Sequence, residues 1–332
     1  MIPSLLAVGR AKKHLRRARG TSPSSIVALL LLLVLAASLA LVACSSSTPE
    51  PNPSTDYPVT VTDLLDRTVQ LTQKPARIVT THPTATETLY RAGGLAVGRD
   101  TASKYPPEVL DLPTVGGSYS ISAEAVADLQ PDLILIEALT QASLVGQLEQ
   151  LGVPIIAVRA TSMEDIVQSL TLVGKVADMN ETAAQAIADI QGRIEAVQGT
   201  SPGGKNILIF IADAQNNIYA AKPESYPGTV AALLGLGNLA ADLPESGPYR
   251  GFALFTAEQA TQSDPDAIFT ITPAPPPAPR LSAVLSQLPG FKDMPAVKAG
   301  RVVELDPVLF LQAQGPRIAE AVEELLNIMN NV

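Results

Sequence analysis

The sequence predicts an α/β fold: two Rossmann-like lobes with mostly parallel sheets, joined by one long helix, with a ligand cleft between the lobes. Three observations predict it: a helix-to-strand segment that occurs twice, a second repeated segment, and a long helical stretch between the copies. The first segment runs from Ser122 to Ile136 and recurs from Thr256 to Ile271, 134 residues later. Two such units imply two similar lobes, and a cleft lies between lobes.

Each copy of this segment is typical of a helix that leads into a buried strand. Ser122 and Thr256 are hydroxyl N-caps, and an acid, Glu124 or Glu258, follows in the first helical turn. A proline then stops the helix before an aspartate and an apolar run. A continuous apolar run of this kind is expected in a parallel sheet that is covered on both faces.

The second repeated segment supports the same duplication. Ile78–Pro83 and Ile218–Pro223 share their spacing, and each precedes a predicted helix that ends at a glycine, Gly93 or Gly235. Two independent repeats are hard to attribute to chance.

The stretch from Thr161 to Gln198 has apolar residues at helical spacing. We expect a break at 178–180 and a second helix of ~18 residues that begins at Asn180 or Glu181. At 1.5 Å per residue, this helix spans about 27 Å and can join two lobes.

The remaining elements follow from shorter patterns. We expect a leading hairpin over 59–69, strands at 77–80, 95–98, 154–158, 206–211 and 302–305, helices at 84–92, 142–151 and 315–330, and a stiff proline-rich loop at 273–279.

The N-terminal 43 residues have the features of an export signal. A basic segment precedes an apolar run from Ile26 to Ala43, which ends in small residues before Cys44. This arrangement resembles the lipobox of bacterial lipoproteins, in which Cys44 would carry the lipid. An uncleaved signal anchor is the alternative, because 18 apolar residues can just span a bilayer.

The sequence patterns predict the domain boundaries, and the net charge disfavours one class of partner. We expect a signal at 1–43, a disordered tether at 44–57, an N-terminal α/β lobe at 58–178, a bridging helix at 179–200 and a C-terminal α/β lobe at 201–332. Beyond residue 43 the chain has 17 basic residues against 32 acidic ones, a net charge of −15, which disfavours nucleic acid. Cys44 is the one cysteine, so intramolecular disulfides are excluded.

Several short motifs, in their order along the chain, carry a family resemblance. They are Pro75-Ala76-Arg77-Ile78-Val79, Thr86-Glu87, Tyr105-Pro106-Pro107, Ser122-Ala123-Glu124, Gln130-Pro131-Asp132-Leu133, Lys222-Pro223-Glu224-Ser225, Gly237-Asn238, Asp264-Pro265-Asp266 and Gly315-Pro316-Arg317. From about Val59 to the C-terminus the sequence resembles the periplasmic-binding proteins that serve ABC importers of ferric siderophores, haem and vitamin B12. The resemblance implies two lobes on a single-helix hinge that close only slightly on a ligand.

The resemblance also implies two acids that dock on the transmembrane permease, one on each lobe. By position these are Glu124 and Glu224. A helix-start carboxylate such as Glu124 can instead serve only to stabilise the helix dipole. Glu258 fits that simpler role, because it lies at the repeat position but not at a docking position.

Seven side chains are candidates for contact with the ligand. Ligands bind outside the carboxyl ends of strands in open α/β sheets, and the loops expected there carry aromatic, basic and imidazole groups. The candidates are His82, Tyr105, Tyr119, Tyr226, Tyr249, Arg250 and Arg280. A tyrosine can stack on a flat ligand, and a guanidinium can pair with carboxylates.

The ligand class follows by elimination and favours a ferric siderophore. His82 is the one histidine beyond the signal, which argues against a site for a bare metal ion. The first lobe resembles haem-binding members over Gly98–Ser103, but Gly117 and Ala214 stand where some of those members have iron ligands, and Ser118 stands at an aromatic position of B12-binding members. Haem and cobalamin stay open as alternatives. We expect no cofactor of the protein's own. The ferric chelate is the ligand that it carries.

Two other classes of function, an enzyme and a sensor, fit the sequence less well than a binding protein for transport. The sequence has no Gly-x-Ser-x-Gly motif and no glycine-rich phosphate loop, so we expect no enzyme. A lipid-anchored sensor that does not couple to transport is the rival. We expect a monomer outside the cytoplasm, anchored through Cys44, whose partners are a small-molecule metal chelate, the membrane and an ABC permease.

Overall fold

The computed structural model describes residues 55–198, 200 and 203–332. The expected signal, the lipidation site Cys44 and most of the expected tether lie outside these residues. The described chain begins on the surface of the fold. The Thr55 amide donates to Asp178 Oδ1 at 2.7 Å, and the Tyr57 hydroxyl donates to the Val176 carbonyl at 2.9 Å. Residues 55–57, which the expected tether includes, thus contact the first lobe.

The first lobe is a parallel sheet of four strands preceded by a small antiparallel hairpin. Its strands are β1 (Val59–Thr62), β2 (Thr68–Leu71), β3 (Ile78–Thr80), β4 (Ala96–Gly98), β5 (Gly116–Gly117), β6 (Ser120–Ile121), β7 (Leu133–Glu137) and β8 (Ile155–Val158). β1 pairs with β2, β5 pairs with β6, and the parallel sheet has the order β4-β3-β7-β8.

The helices of this lobe and the linking helix follow the predicted pattern with one exception. They are α1 (Pro83–Arg91), α2 (Ala123–Asp128), α3 (Val145–Leu148), α4 (Met163–Val176) and α5 (Asn180–Gln198). The helix expected over 142–151 is instead the four-residue α3 between two 3-10 turns, Ala142–Leu144 and Glu149–Leu151.

The second lobe is a mixed sheet covered by short helices. Its strands are β9 (Asn206–Ala212), β10 (Ile218–Ala221), β11 (Gly237–Asn238), β12 (Phe252–Leu254), β13 (Ala267–Ile271) and β14 (Val302–Leu305), and its helices are α6 (Tyr226–Leu233), α7 (Ala257–Gln262), α8 (Leu281–Leu285), α9 (Pro295–Lys298) and α10 (Ile318–Met329). The order is β12-β10-β9-β13-β14, with β11 alongside β9. β10 runs antiparallel to β9 and β12, while β13 is parallel to β9 and β14.

The first repeated segment has the same structure in both lobes. Ser122 Oγ caps α2, and Thr256 caps α7 in a complete capping box with Gln259. Each helix leads into a fully buried parallel strand, β7 or β13. The aspartate of each copy then holds the start of the neighbouring strand: Asp132 accepts from the Arg77 amide at 2.8 Å, and Asp266 accepts from the Asn206 amide at 2.7 Å. This segment is a structural repeat, as predicted.

The second repeated segment does not occupy equivalent places in the two sheets. β3 is a parallel strand beside β7, whereas β10 is antiparallel. The difference arises because β9 ends in a tight turn, in which Asp213 Oδ1 accepts from the amides of Gln215 and Asn217 at 2.9 Å and Asn216 has a φ of +62°. The chain therefore returns antiparallel, and β9 is the counterpart of β3.

The helix α5 links the lobes and packs against both. It contacts α1 and α4 of the first lobe and α10 of the second. The predicted break before it is a turn at Asp178, which has a φ of +56°, and the Met179 amide then donates to the Gly174 carbonyl at 2.7 Å. One apolar cluster runs through the whole domain and includes Leu135, Ile190 and Phe269. The lobes thus share a core at the hinge.

Candidate functional site

The carboxyl ends of the parallel strands define the face of each lobe on which a ligand is expected. In the first lobe, β3, β4 and β7 end there, and in the second lobe β9, β13 and β14 do. His82, Asp100 and Glu137 lie at or just beyond the strand ends of the first lobe, and Asp213 lies just beyond β9.

A buried carboxylate organises the loop after β4. Asp100 is fully buried. It accepts hydrogen bonds from the Ser103 hydroxyl, from the Ala102 amide at 2.9 Å and from the Ser118 hydroxyl at 2.5 Å. Thr86 of α1 joins the same network, because its hydroxyl lies 2.8 Å from that of Ser103. The loop that continues to Tyr105 is therefore fixed at its start.

Gln141 ties together three segments at the same edge. Its Nε2 donates to the Thr81 carbonyl at 2.8 Å and to the Ser118 carbonyl at 2.6 Å. Its Oε1 accepts from the Thr81 hydroxyl at 2.8 Å and from the Glu137 amide at 2.9 Å. Buried networks in which every group has a partner are rigid. Ser118 lies at the tip of the β5–β6 hairpin. Its hydroxyl donates to Asp100 and its carbonyl accepts from Gln141, so both ends of the residue are fixed.

This hairpin presents Tyr119 to solvent. The Tyr119 side chain is 76% exposed, although its neighbour Ser118 is buried. An exposed aromatic ring on a backbone that is held in place can stack on a flat ligand at a small cost in conformational entropy.

His82 is the N-cap of α1, and this role fixes its tautomer. Its Nδ1 accepts from the Thr84 amide at 3.2 Å, so the proton of the neutral ring is assigned to Nε2. Burial lowers the pKa of His82, against the opposing influence of Glu137 and Asp100. The neutral ring can donate from Nε2. To ligate iron through Nε2, it would have to move its proton to Nδ1 and lose the cap.

We expect two substitutions of His82 to separate its capping role from its other contacts. Because alanine has no side-chain acceptor, His82→Ala lowers the free energy of unfolding by about 1 kcal/mol, whereas His82→Asn, which retains a strong N-cap, changes it by less. Urea unfolding of the two variants measures the difference. Equal losses in both variants would contradict the capping role.

An ion pair joins the two lobes. The Glu87 carboxylate of α1 accepts from Arg317 Nε and one terminal nitrogen, each at 2.9 Å, and Arg317 lies just before α10. Their side chains are 3% and 13% exposed. Arg317 Cζ lies 4.4 Å from the centre of the Tyr105 ring, and its guanidinium also lies 3.9 Å from Glu320. Burial raises the pKa of Glu87 to about 7, although Arg317 favours the charged form.

The candidates of the second lobe are spread over different environments. Tyr249 is half-buried and packs edge-on against Tyr219 at 5.3 Å, and the Tyr219 hydroxyl donates to Asp213 at 3.2 Å. Arg250 is exposed, and Arg280 is half-buried at the start of α8.

Tyr226 lies in the core at the first position of α6 and is 1% exposed. Its hydroxyl makes no hydrogen bond of normal geometry within the described chain, although it lies close to the Gly315 backbone. A ligand could contact it only if α6 moved.

The structure thus brings His82 and Tyr119 to one edge and places Tyr105 on the inter-lobe ion pair. Sequence reasoning gave no role to Glu87, Arg317, Asp100 or Gln141. Thr86-Glu87 and Gly315-Pro316-Arg317 stood among the motifs of the resemblance, and that was the available signal for the ion pair.

Both acids that were expected to dock on a permease lie on the surface. Glu124 is exposed in the first turn of α2. The Glu224 side chain is 66% exposed, with Lys222 Nζ 4.0 Å from its carboxylate. Glu258 is exposed in the first turn of α7.

The loop of Glu224 depends on a close contact with Gly228. A Cβ at this position would lie 1.9 Å from the Lys222 carbonyl oxygen. We expect Gly228→Ala to lower the free energy of unfolding by about 1–3 kcal/mol through overpacking and to displace Glu224. Gly192→Ala is the matched control, because nothing lies within 4 Å of that exposed position in α5. We expect the control to gain ~0.5 kcal/mol in thermal or urea unfolding. An unchanged stability of Gly228→Ala would contradict the contact.

Two features are absent from the described residues. No group of three or more His, Cys, Asp or Glu side chains among them could hold a metal ion. Of the helices between residues 55 and 332 that the structure describes, none combines the length and the apolar character needed to cross a bilayer.

Comparisons with known proteins agree on one family. A family model described as "Periplasmic binding protein" matches residues 78–309. An uncharacterized ABC transporter substrate-binding lipoprotein of Bacillus subtilis is 27% identical over 279 residues, which cover 81% of this chain and 84% of that protein. A cobalamin-binding protein of Halobacterium salinarum is 25% identical over 280 residues, 83% of this chain and 75% of that protein. The solved structure of a periplasmic haem-binding protein from Pseudomonas aeruginosa superposes with a TM-score of 0.65 at 26% identity and covers 76% of this chain and 91% of that one.

Proposed function

The chain belongs to the periplasmic binding protein family, and on this premise we propose that it is an extracytoplasmic lipoprotein that captures a metal chelate and delivers it to an ABC import permease. The two-lobed α/β fold and the substrate-binding relatives support the carrier role. The anchor at Cys44 and the lack of enzymatic activity belong to the proposal. They rest on the sequence motif and on the family.

We further propose that the chelate is a corrinoid, of which cobalamin is the test case. One observation carries this choice: Arg317, the basic side chain at the contact between the lobes, already forms a two-point ion pair with Glu87. Its charge is therefore balanced within the protein. The strand ends of the first lobe also carry two buried acids, Asp100 and Glu137, which lie near His82. Arg317 therefore has no unpaired charge for a ligand that is rich in carboxylates, and the two acids add no positive charge at this edge.

A corrinoid suits the charges and hydrogen-bond donors of this site better than an anionic chelate does. Its periphery consists largely of uncharged amides, which accept hydrogen bonds from a donor such as His82 Nε2–H. Its ring already holds the metal in the plane, so the protein need not supply those ligands. Tyr119 offers an exposed ring for contact with the macrocycle. The cobalamin-binding relative is in keeping with this choice.

The ferric siderophore that sequence elimination favours is the second candidate. Arg250 and Arg280, one exposed and one half-buried, are the observation in its favour, because guanidinium groups pair with the carboxylates of many siderophores. Haem would use the same guanidinium groups for its propionates.

Absorption titrations of the purified full chain separate these ligands. We expect saturable binding of cyanocobalamin, seen as a shift of its visible bands, and weaker or no response to haemin and to a ferric hydroxamate or carboxylate siderophore. A sharp Soret shift with haemin alone, or saturable binding of a siderophore alone, would replace the corrinoid. Turnover of any bound compound by the protein would contradict the carrier role.

A further inference from the structure

Arg280 lies at the ligand-facing edge of the second lobe, on a backbone that its neighbours hold in place. It ends the loop that leaves the carboxyl end of β13, and α8 begins at the next residue. The Leu281 amide donates to the Thr272 hydroxyl at 2.8 Å, and the Ser282 amide donates to Glu304 Oε2 at 3.1 Å. Thr272 comes directly after β13, and Glu304 lies near the end of β14, so both anchors stand at the strand ends.

The loop before Arg280 is stiff. Five of the seven residues at 273–279 are prolines, and each proline ring restricts the backbone torsion φ to one region. The Ala278 amide also donates to the Pro275 carbonyl at 3.1 Å, which closes a turn just before Arg280. A side chain on such a backbone can bind a ligand with little loss of backbone entropy.

The guanidinium of Arg280 has a positive charge that nothing in the described part of the chain balances. Its half-buried side chain makes no hydrogen bond and no ion pair there. Other arginines near the strand ends are already engaged. Arg99 donates to four backbone carbonyls of its own loop, and Arg159 and Arg317 each pair with a carboxylate.

Two further cations, Arg250 and Lys104, form no ion pair within the described residues either. The carbonyl of Gly251, next to Arg250, accepts from the Lys222 amide at 2.9 Å. Lys222 follows β10, which runs antiparallel to β9 and so away from the strand-end edge. Lys104 is exposed in the loop after β4, and its ammonium is a point charge on a flexible stem. The planar guanidinium of Arg280 can instead hold two oxygens of one phosphate group.

We propose that Arg280 binds the phosphodiester in the nucleotide loop of a cobalamin and thereby selects complete cobalamins over corrinoids that lack this loop. The inference rests on the proposed function, in which the ligand is a corrinoid. The phosphodiester is the one anionic group on the periphery of cobalamin, and it matches a single unpaired guanidinium. The nucleotide end of the ligand then lies on the second lobe, and amides of the ring face His82 and Tyr119 of the first.

Titrations of the full chain with two corrinoids test this contact. Cyanocobalamin has the phosphodiester, whereas dicyanocobinamide lacks the nucleotide loop. We expect Arg280→Met to weaken binding of cyanocobalamin by about tenfold or more and binding of dicyanocobinamide by less than about twofold, because only cyanocobalamin loses a charged contact. Arg280→Lys should retain part of the affinity for cyanocobalamin. Added salt should weaken binding of cyanocobalamin to the parent more than to Arg280→Met.

Lys104→Met and urea unfolding are the controls. We expect Lys104→Met to bind both corrinoids as the parent does. Because the Arg280 side chain makes no hydrogen bond or ion pair within the described residues, Arg280→Met should unfold at the urea midpoint of the parent. Parent-like binding by Arg280→Met, an equal loss for both corrinoids, or a selective loss in Lys104→Met instead would overturn the contact and leave the corrinoid as the ligand. If the parent binds neither corrinoid, both the ligand and the contact are wrong.

Discussion

Replacement of Arg317 by methionine lowers the free energy of unfolding by about 3 kcal/mol or more at pH 8. The reason is that Glu87 stays buried at 3% exposure and loses the cation that balances its charge. The cation over the Tyr105 ring is lost as well. Urea unfolding of the parent and of Arg317→Met measures the difference.

The pH dependence and a double variant show whether the loss comes from the unpaired charge. Burial raises the pKa of Glu87 to about 7, so acidification neutralises part of the buried charge. We therefore expect a smaller loss at pH 6 than at pH 8. Glu87→Leu combined with Arg317→Met should recover most of the stability at pH 8, because a buried ion pair can be replaced by apolar groups of similar volume. A double variant as unstable as the sum of the single ones would contradict this explanation.

Reversal of charge at Glu124 and Glu224 together is expected to reduce uptake of the ligand by ~30-fold or more, the equivalent of at least about 2 kcal/mol in docking. Both carboxylates are exposed, one on each lobe, and both would meet basic residues of the permease. Uptake by cells that express Glu124→Arg/Glu224→Arg measures the effect. The affinity of the purified variant for the ligand should equal that of the parent.

Glu258→Arg is the matched control for this experiment. Glu258 occupies the position in the second lobe that Glu124 occupies in the first, and it too is exposed in the first turn of its helix. We expect normal uptake with this variant. Normal uptake with the double reversal would argue against docking through these acids and favour a sensor that is not coupled to transport.

Sequence patterns predicted the local architecture because local chemistry determines it. Ser122 and Thr256 cap their helices, and both apolar runs that follow are fully buried parallel strands. The predicted helix of ~18 residues at Asn180 or Glu181 is α5, which begins at Asn180 and has 19 residues. N-caps, prolines and apolar periodicity act over a few residues, so one sequence suffices to place them.

The features that sequence patterns left out depend on contacts between distant residues. Glu87 and Arg317 are 230 positions apart. Both stand in motifs of the family resemblance, but neither motif indicates that the two side chains pair. The direction of β10 depends on the turn at Asp213–Asn217, whose effect is seen only when the sheet is assembled. Tyr226 has the local sequence of a loop aromatic, but packing places it in the core.

The proposed ligand is a corrinoid, whose ring side chains are uncharged amides. A calorimetric titration of the full chain with cyanocobalamin, and with the derivative in which three side-chain amides are hydrolysed to carboxylates, tests this ligand directly. We expect a Kd below ~1 µM for cyanocobalamin, about −8 kcal/mol or tighter, and at least tenfold weaker binding of the tricarboxylate. Equal or tighter binding of the tricarboxylate, or no heat with cyanocobalamin, would contradict it.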